Sequence, residues 1–171
     1  KNPRSDRDYD DLVINIEGLT GTVSPFEEVI KPGKDWREKR LGKWLDEYVA
    51  FPQISFDTGK FVVGETGELK IDYLYDGTRP EGELAIFSLE NFDELNLKSE
   101  RDFIKEAASR VLSNSELGYV LINDKKEGAY FDGWANKGEH GGVKSFNLTP
   151  GDKYGFILAP NGSIEQDFEK P

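Results

Sequence analysis

The chain has 171 residues, and its 33 acidic against 22 basic side chains give a formal net charge of −11. The absence of cysteine and the single histidine exclude disulfides, thiolate metal sites and zinc sites built from several imidazoles. So acidic a chain is poorly suited to bind nucleic acid, and no apolar run approaches the ~20 residues of a membrane-spanning helix. We therefore expect one soluble domain without membrane insertion, for which a cation is the most suitable partner.

The first third of the chain predicts a strand followed by a helix. Residues 12–17 alternate between apolar and polar side chains, which indicates a strand that ends at Gly18. Apolar residues at helical spacing, with Pro52 beyond them, predict a helix over 35–50. The apolar face of that helix comprises Leu41, Trp44, Leu45, Tyr48 and Val49.

The rest of the chain predicts short strands and a second helix. Ser99 is placed to cap a helix over 99–113, whose apolar residues share one face. Many short strands separated by glycine-bearing turns indicate a mainly β fold, a β-sandwich or jelly roll of antiparallel sheets with two accessory helices. The strands are expected over 54–56, 60–63, 68–75, 84–89, 117–123, 128–131, 143–148 and 154–159.

We expect a single β-sandwich domain over 1–171. Residues 1–20 hold an acidic motif and the first strand, 21–52 a connection and the first helix, and 53–171 the main part of the sandwich. Both helices are expected to dock on the sheets. The core is expected to include Ile14, Ile71, Ile86, Phe87, Leu121, Phe146, Phe156 and Leu158.

The densest functional signal is a group of four aspartates, Asp6, Asp8, Asp10 and Asp11, directly before the first strand. Carboxylates this close repel one another unless a cation pairs with them, and Ca²⁺ accepts ~6–8 oxygen ligands in flexible loops. The spacing partly matches an EF-hand loop, but Asp11 stands where that loop needs glycine, and a strand follows instead of a helix. We therefore expect a Ca²⁺ loop attached to a strand, with a solvated acidic turn as the alternative.

Two further acidic sets could complete the coordination of a metal. One lies near the end of the chain and comprises Glu165, Asp167 and Glu169. Because the termini of a domain often lie close together, this set could approach the N-terminal aspartates. The other surrounds a predicted turn and comprises Asp72, Asp76, Glu81 and Glu83.

Signals for catalysis are weaker than the signal for a metal. Paired carboxylates can hydrolyse glycosides, but a chain with 33 acidic residues contains such pairs by chance. His140 lies in the glycine-rich segment 138–142, without a Gly-x-Ser-x-Gly elbow, a phosphate-binding loop or a dinucleotide fingerprint elsewhere in the sequence. We expect His140 to be a polar loop residue and the protein not to be an enzyme.

The segment 5–14, Ser-Asp-Arg-Asp-Tyr-Asp-Asp-Leu-Val-Ile, resembles the Asp-x-Asp-Tyr-Asn-Asp-Leu-Val-Phe signature of a bacterial family catalogued as domain of unknown function 4114. Segments 82–87, 117–122 and 150–156 resemble other parts of that family. The resemblance implies a calcium-binding β-sandwich of secreted or surface-attached, adhesin-like proteins, with no known catalysis. It marks Asp6, Asp8 and Asp11 as candidate ligands, while Asp10 stands where the family usually has asparagine.

The order of the motifs differs from that of the family, in which the aspartate-rich motif closes the domain. Here the motif opens the chain, so the resemblance implies a circular permutation, a cut through tandem copies or an omitted stretch of family sequence. We therefore expect the strand over 12–17 to pair with the strand over 154–159, with both termini near the metal.

These signals predict a non-catalytic Ca²⁺-binding module of the structural or adhesion type. The resemblance implies an extracellular or cell-surface location and a glycan or surface protein as a candidate partner. One alternative is a Ca²⁺-dependent carbohydrate-binding module, which would expose aromatic residues such as Tyr130 or Trp134 beside the metal. A glycoside hydrolase with two carboxylates in an open cleft is a less favoured alternative.

Overall fold

A computed structural model of the chain describes residues 12–23, 28, 30–48, 56–77, 81–132, 138–160 and 162–168. These residues form a mainly β structure, as the sequence predicts. The elements are β1 Leu12–Glu17, β2 Leu19–Val23, α1 Arg40–Tyr48, β3 Phe56–Val63, β4 Glu68–Asp76, β5 Glu83–Ser88, α2 Glu100–Leu112, β6 Gly118–Asn123, β7 Phe131–Asp132, β8 Lys144–Asn147, β9 Lys153–Ala159 and α3 Ile164–Phe168. No helix among the described residues is both long and apolar enough to span a bilayer.

The strands form two sheets that pack face to face. In the four-stranded sheet, β4 pairs antiparallel with β1 on one edge. Its other edge pairs antiparallel with β8 over 68–71 and parallel with β7 over 75–76. The five-stranded sheet has the order β2-β3-β9-β5-β6, and all of its pairs are antiparallel. The two sheets make the β-sandwich-like fold that the short, regularly spaced strands predict.

The apolar clusters place a helical layer on each side of the two sheets. Leu69, Ile71 and Tyr73 of β4 pack between the sheets against residues of the five-stranded sheet. Leu74, on the opposite face of β4, packs against Leu45 of α1. The outer face of β5 packs against α2 and α3. β4 is therefore covered on both of its faces.

The expected core is largely confirmed. Ile71, Ile86, Phe87 and Leu121 are buried, and Phe87 packs beneath α2 instead of between the sheets. Three further predicted members, Ile14, Phe146 and Phe156, are partly buried against the inter-sheet core. The prediction for Leu158 is wrong, because its side chain is exposed. Leu158 alternates onto the same face of β9 as Phe156, so the four-stranded sheet does not cover this end of β9.

Helix α2 is confirmed close to its predicted limits, and Ser99 caps it as expected. The hydroxyl of Ser99 accepts a hydrogen bond from the backbone N–H of Asp102 at 3.1 Å. Arg110 of α2 is buried, and its guanidinium donates to the carbonyls of Ser88 and Glu90 at 2.9 and 2.7 Å. These bonds hold the last turn of α2 against the end of β5.

The sequence misplaces the partner of the first strand. β1 pairs with β4, whereas β9 lies between β3 and β5 in the other sheet, so the expected pairing of 12–17 with 154–159 is wrong. The strand β2 was not expected, because Gly18 was interpreted as the end of a strand followed by a connection. Gly18 has φ +93° and instead carries the chain from one sheet into the other.

Three other secondary-structure elements differ from the prediction, two in their bounds and one because it was not predicted at all. The expected turn at 57–59 lies inside β3, where shifts in register against β2 accommodate it. The first helix starts at Arg40 instead of residue 35, because Asp35 accepts a backbone hydrogen bond from Arg37 in a preceding turn. The five-residue helix α3 was not predicted.

The crossing at Gly18 gives a test of the fold. A Cβ atom at Gly18 would lie 1.8 Å from the carbonyl oxygen of Glu68, whereas one at Gly33 (φ +78°) would meet nothing within 4 Å. Both substitutions to alanine carry backbone strain of ~1–3 kcal/mol, but only Gly18→Ala adds a collision with β4. We expect Gly18→Ala to lower the free energy of unfolding in urea clearly more than Gly33→Ala. Equal losses would contradict the close approach of the chain at Gly18.

Candidate functional site

The N-terminal aspartate motif enters the described structure beside the end of β4. Leu12, the first residue of β1, is the Cα partner of Asp76, the last residue of β4. Asp6, Asp8, Asp10 and Asp11 themselves lie outside the described residues. The register nevertheless fixes where the motif joins the sandwich, because Asp11 is bonded directly to Leu12.

Three carboxylates, Asp76, Glu81 and Asp124, lie at this end of the sandwich, and we call them the acidic corner. Asp76 is buried, and the hydroxyl of Tyr73 donates a hydrogen bond to Oδ1 of Asp124 at 3.0 Å. Burial raises the pKa of Asp124, and the negative charges of Asp76 and Glu81 raise it further. The hydrogen bond from Tyr73 lowers it without cancelling this effect. The ionised form of Asp124 is thus disfavoured at this position, and a cation beside it would stabilise that form.

The other predicted ligands lie in a different setting. Glu165 and Asp167 belong to α3, which packs against α2, while Glu169 lies outside the described residues. Asp167 lines a cavity of about 380 Å³ whose other lining residues are Glu100, Arg101, Ile104, Lys105 and Phe168. Among the described residues alone, no three histidine or carboxylate side chains are grouped to hold a metal ion. A metal site at the corner would therefore need ligands from the N-terminal motif.

The third acidic set divides among three roles. Asp76 and Glu81 belong to the acidic corner. Glu83 accepts a hydrogen bond from the backbone N–H of Ile164 at 2.9 Å and another from the side chain of Asn123, so it fastens the start of α3 to the sheet. Asp72 is buried on the outer face of β4, four residues before Asp76 and beneath α1.

Aromatic side chains from α1 and from the segment around β7 form a continuous surface above Asp72. Tyr48 stacks on Tyr130 with their ring centroids 4.1 Å apart, and Trp44 stacks on Phe131 at 5.6 Å. Phe131 also contacts both tyrosines edge to face, at 6.1 and 4.8 Å. Trp44, Tyr48 and Tyr130 remain 37, 40 and 47 % exposed. We call these four residues, together with His140, the aromatic face.

Asp72 joins the two ends of the aromatic face by hydrogen bonds. Its Oδ2 accepts from the hydroxyl of Tyr48 at 3.0 Å, and its Oδ1 lies 2.7 Å from Nε2 of His140. Partial burial and the carboxylate of Asp72 raise the pKa of Tyr48, so the phenol keeps its proton as a donor. The ring of Tyr130 contacts that of His140 edge to face at 5.2 Å.

Sequence patterns identified some residues of this arrangement but did not predict that they contact one another. His140 was expected to be a polar loop residue, and it does lie outside the named strands, but it pairs with a buried carboxylate instead of facing only solvent. Asp72 was grouped with candidate metal ligands. Tyr130, one of two aromatic residues that a carbohydrate-binding module would expose, is 47 % exposed, whereas Trp134 lies outside the described residues. No local pattern links Tyr48, Asp72 and His140, because 24 and 68 residues separate Asp72 from its two partners.

Comparisons with protein-family models, curated proteins and solved structures found no match to this chain. The resemblance to the family described above stays a prediction from the sequence motifs. The assignment of function therefore depends on the acidic corner and the aromatic face of this chain.

Replacing Asp124 tests the electrostatic strain at the acidic corner. Because its pKa is raised on folding, ionised Asp124 destabilises the protein above the folded pKa, and the penalty disappears below the unfolded value of ~3.9. Asp124→Asn keeps an oxygen that can accept from Tyr73 and removes the charge. In chelator at neutral pH we expect the variant to be more stable than the wild type in urea unfolding.

The pH dependence supplies the control for this prediction. The advantage of Asp124→Asn should shrink as the pH falls towards 4, where the wild-type carboxyl takes up its proton. Asp93→Asn makes the same charge change at an exposed position and should not reproduce the effect. If the wild type were more stable than Asp124→Asn at neutral pH in chelator, the claim that ionised Asp124 destabilises the fold would be wrong.

A second variant tests the hydrogen bonds of Asp72. Tyr48→Phe removes a donor from a buried carboxylate, and we expect a loss of ~1–3 kcal/mol in the free energy of unfolding. Tyr130→Phe is the matched control, because the Tyr130 hydroxyl makes no hydrogen bond within the described part of the chain. Similar losses for the two variants in denaturant titrations would argue against a stabilising bond from Tyr48.

Proposed function

We propose that this chain is a non-catalytic, Ca²⁺-stabilised module of the structural or adhesion type. The observation that carries the proposal is the pairing of Leu12 with Asp76. Through it, the four aspartates of the N-terminal motif are joined to the fold beside carboxylates that already lie at the end of β4. The proposed ligands are Asp6, Asp8, Asp10 and Asp11, with Asp76 and Asp124 as further oxygen donors.

The chemistry of this donor set suits Ca²⁺. The ion takes ~6–8 oxygens at 2.3–2.6 Å and tolerates ligands from loops, while carboxylates at strand ends supply a rigid part of the sphere. The raised pKa of Asp124 supports the proposal, because it reflects a buried negative site that a cation would stabilise. Bound Ca²⁺ would tie the start of β1 to the ends of β4 and β6.

The proposed role is structural because the metal would bridge elements of the sandwich. The family resemblance supports a secreted or cell-surface protein, with a glycan or a surface protein as its partner. Extracellular Ca²⁺ modules bind with a Kd of ~10⁻⁴–10⁻³ M, which suits millimolar Ca²⁺ outside cells. Without any cysteine in its sequence, the domain would gain from bound metal the kind of cross-link that disulfides give other secreted domains.

Thermal unfolding with and without Ca²⁺ tests the proposal. A metal that binds only the folded state at ~10 times its Kd adds about 1.4 kcal/mol, which raises the Tm of a chain of this size by ~3–6 °C. We expect this rise between chelator and millimolar Ca²⁺, and a smaller one with Mg²⁺. Identical melting temperatures in chelator and in millimolar Ca²⁺ would exclude the metal.

Matched variants locate the ligands. Asp8→Asn and Asp76→Asn should abolish or reduce the Ca²⁺-dependent rise in Tm, and Asp93→Asn, an exposed control outside the corner, should keep it. Asp167→Asn separates two versions of the site. It should reduce the rise only if the C-terminal acidic set joins the motif, and should leave it unchanged if the acidic corner completes the sphere.

A further inference from the structure

The aromatic face brings three exposed aromatic side chains together in one cluster. Trp44, Tyr48 and Tyr130 are each more than a third exposed, although Phe131 holds them together as one cluster. Clustered aromatic side chains that remain open to solvent are typical of binding surfaces, whereas single exposed apolar residues are ordinary. Ring stacking and the hydrogen bonds to Asp72 hold its members together in one cluster.

The face presents polar atoms beside the rings. With Nε2 of His140 directed at Asp72, a neutral imidazole carries its proton on Nε2 and offers Nδ1 as an acceptor. Within the described part of the chain, Nδ1 of His140 has no hydrogen-bond partner, and neither has the hydroxyl of Tyr130. The guanidinium of Arg40 lies 3.9 Å over the ring of Trp44 and adds donors at the other end of the face.

We propose that the aromatic face binds a neutral saccharide, with Tyr130 as the stacking ring and His140 and Arg40 as hydrogen-bonding groups. A pyranose ring has an apolar face of C–H groups and a rim of hydroxyls. The apolar face fits flat aromatic rings, and the rim fits donors and acceptors held at their edges. Tyr130 is the main platform, because Tyr48 supports one of its faces and it is the most exposed ring of the four.

The charge of the chain favours a neutral ligand over a polyanion. A net charge of −11 disfavours nucleic acids and anionic polysaccharides at long range and leaves the binding of an uncharged sugar unaffected. The face is held together by ring contacts and by hydrogen bonds to Asp72, so the proposed sugar binding does not use the proposed Ca²⁺ ligands, unlike the sequence-based alternative. It also uses α1, an element that the proposed Ca²⁺ site does not need.

The binding test uses the whole chain in millimolar Ca²⁺, so that metal-dependent stability is not a variable. The probes are hexasaccharides of neutral glucose, mannose, galactose and xylose polymers, with an alginate hexasaccharide as the anionic comparison. Calorimetry should detect saturable binding of at least one neutral probe and none of alginate. Tyr130→Ala should weaken that binding about tenfold, the effect of losing one aromatic contact.

Phe103→Ala is the matched control, because Phe103 is 39 % exposed on α2, away from the aromatic face. It should change the Kd less than about twofold. A second measurement does not depend on the folding of variants: saturation-transfer NMR on the wild type should show saccharide protons in contact with the ring of Tyr130. Tyr130→Phe keeps the ring and should retain most of the affinity.

Three results would overturn the proposal. They are the absence of binding to every neutral probe, equal losses from Phe103→Ala and Tyr130→Ala, and NMR contacts to rings outside the aromatic face. Binding of an amphipathic peptide in place of any saccharide would make the face a protein-docking surface and would also overturn it. None of these results bears on the Ca²⁺-dependent Tm, so the two proposals fail separately.

Discussion

The structure depends on the complete enclosure of β4. This strand is hydrogen-bonded on both edges and covered on both faces, by the five-stranded sheet on one side and by α1 on the other. Because side chains alternate along a strand, Leu69, Ile71 and Tyr73 fill the inter-sheet core while Asp72 is buried on the opposite face. Asp76 is buried at the end of the strand, beyond a shift in register against β1. A buried carboxylate costs free energy unless it has partners, so the enclosure of β4 creates a need for donors or cations at both positions.

The two aspartates meet this need in different ways. Asp72 is satisfied within the fold, where a tyrosine and a histidine from distant segments supply hydrogen bonds to its two oxygens. Asp76 lies near Asp124, whose pKa is raised by burial and raised further by the charges of Asp76 and Glu81. A single strand thus carries an acid held by two hydrogen bonds at its middle and, at its end, an acid that raises the pKa of a neighbouring carboxyl. The two proposed binding sites lie at these two positions.

The sequence predicted the parts of the structure that local patterns encode. Alternation of apolar residues identified β1 and β4, helical spacing identified α1 and α2, and Ser99 correctly marked the start of α2. Local patterns did not predict which strands pair, because the partner of β1 depends on long-range packing. Gly18 carries the chain from one sheet to the other, but nothing in the local sequence distinguishes it from a glycine that ends a strand. For the same reason Asp72 and Asp76 were predicted as equivalent acids, since only their distant neighbours separate their roles. The N-terminal aspartates were recognisable because their density is itself a local pattern.

The strand pairing along the edge of β4 that faces β7 and β8 is interrupted, and this interruption affects how easily the segment above it can open. β8 pairs with residues 68–71 and β7 with residues 75–76, and between these pairings the backbone N–H of Tyr130 donates to the carbonyl of Tyr73 at 2.8 Å. The segment that carries His140 passes over this break and contacts Asp72 there. Opening that segment would break few ladder hydrogen bonds, so amide exchange near the aromatic face can proceed through a local fluctuation of low free energy. The sheet beneath would meanwhile exchange only through much rarer openings, and the surface could adjust to a ligand while its support stays fixed.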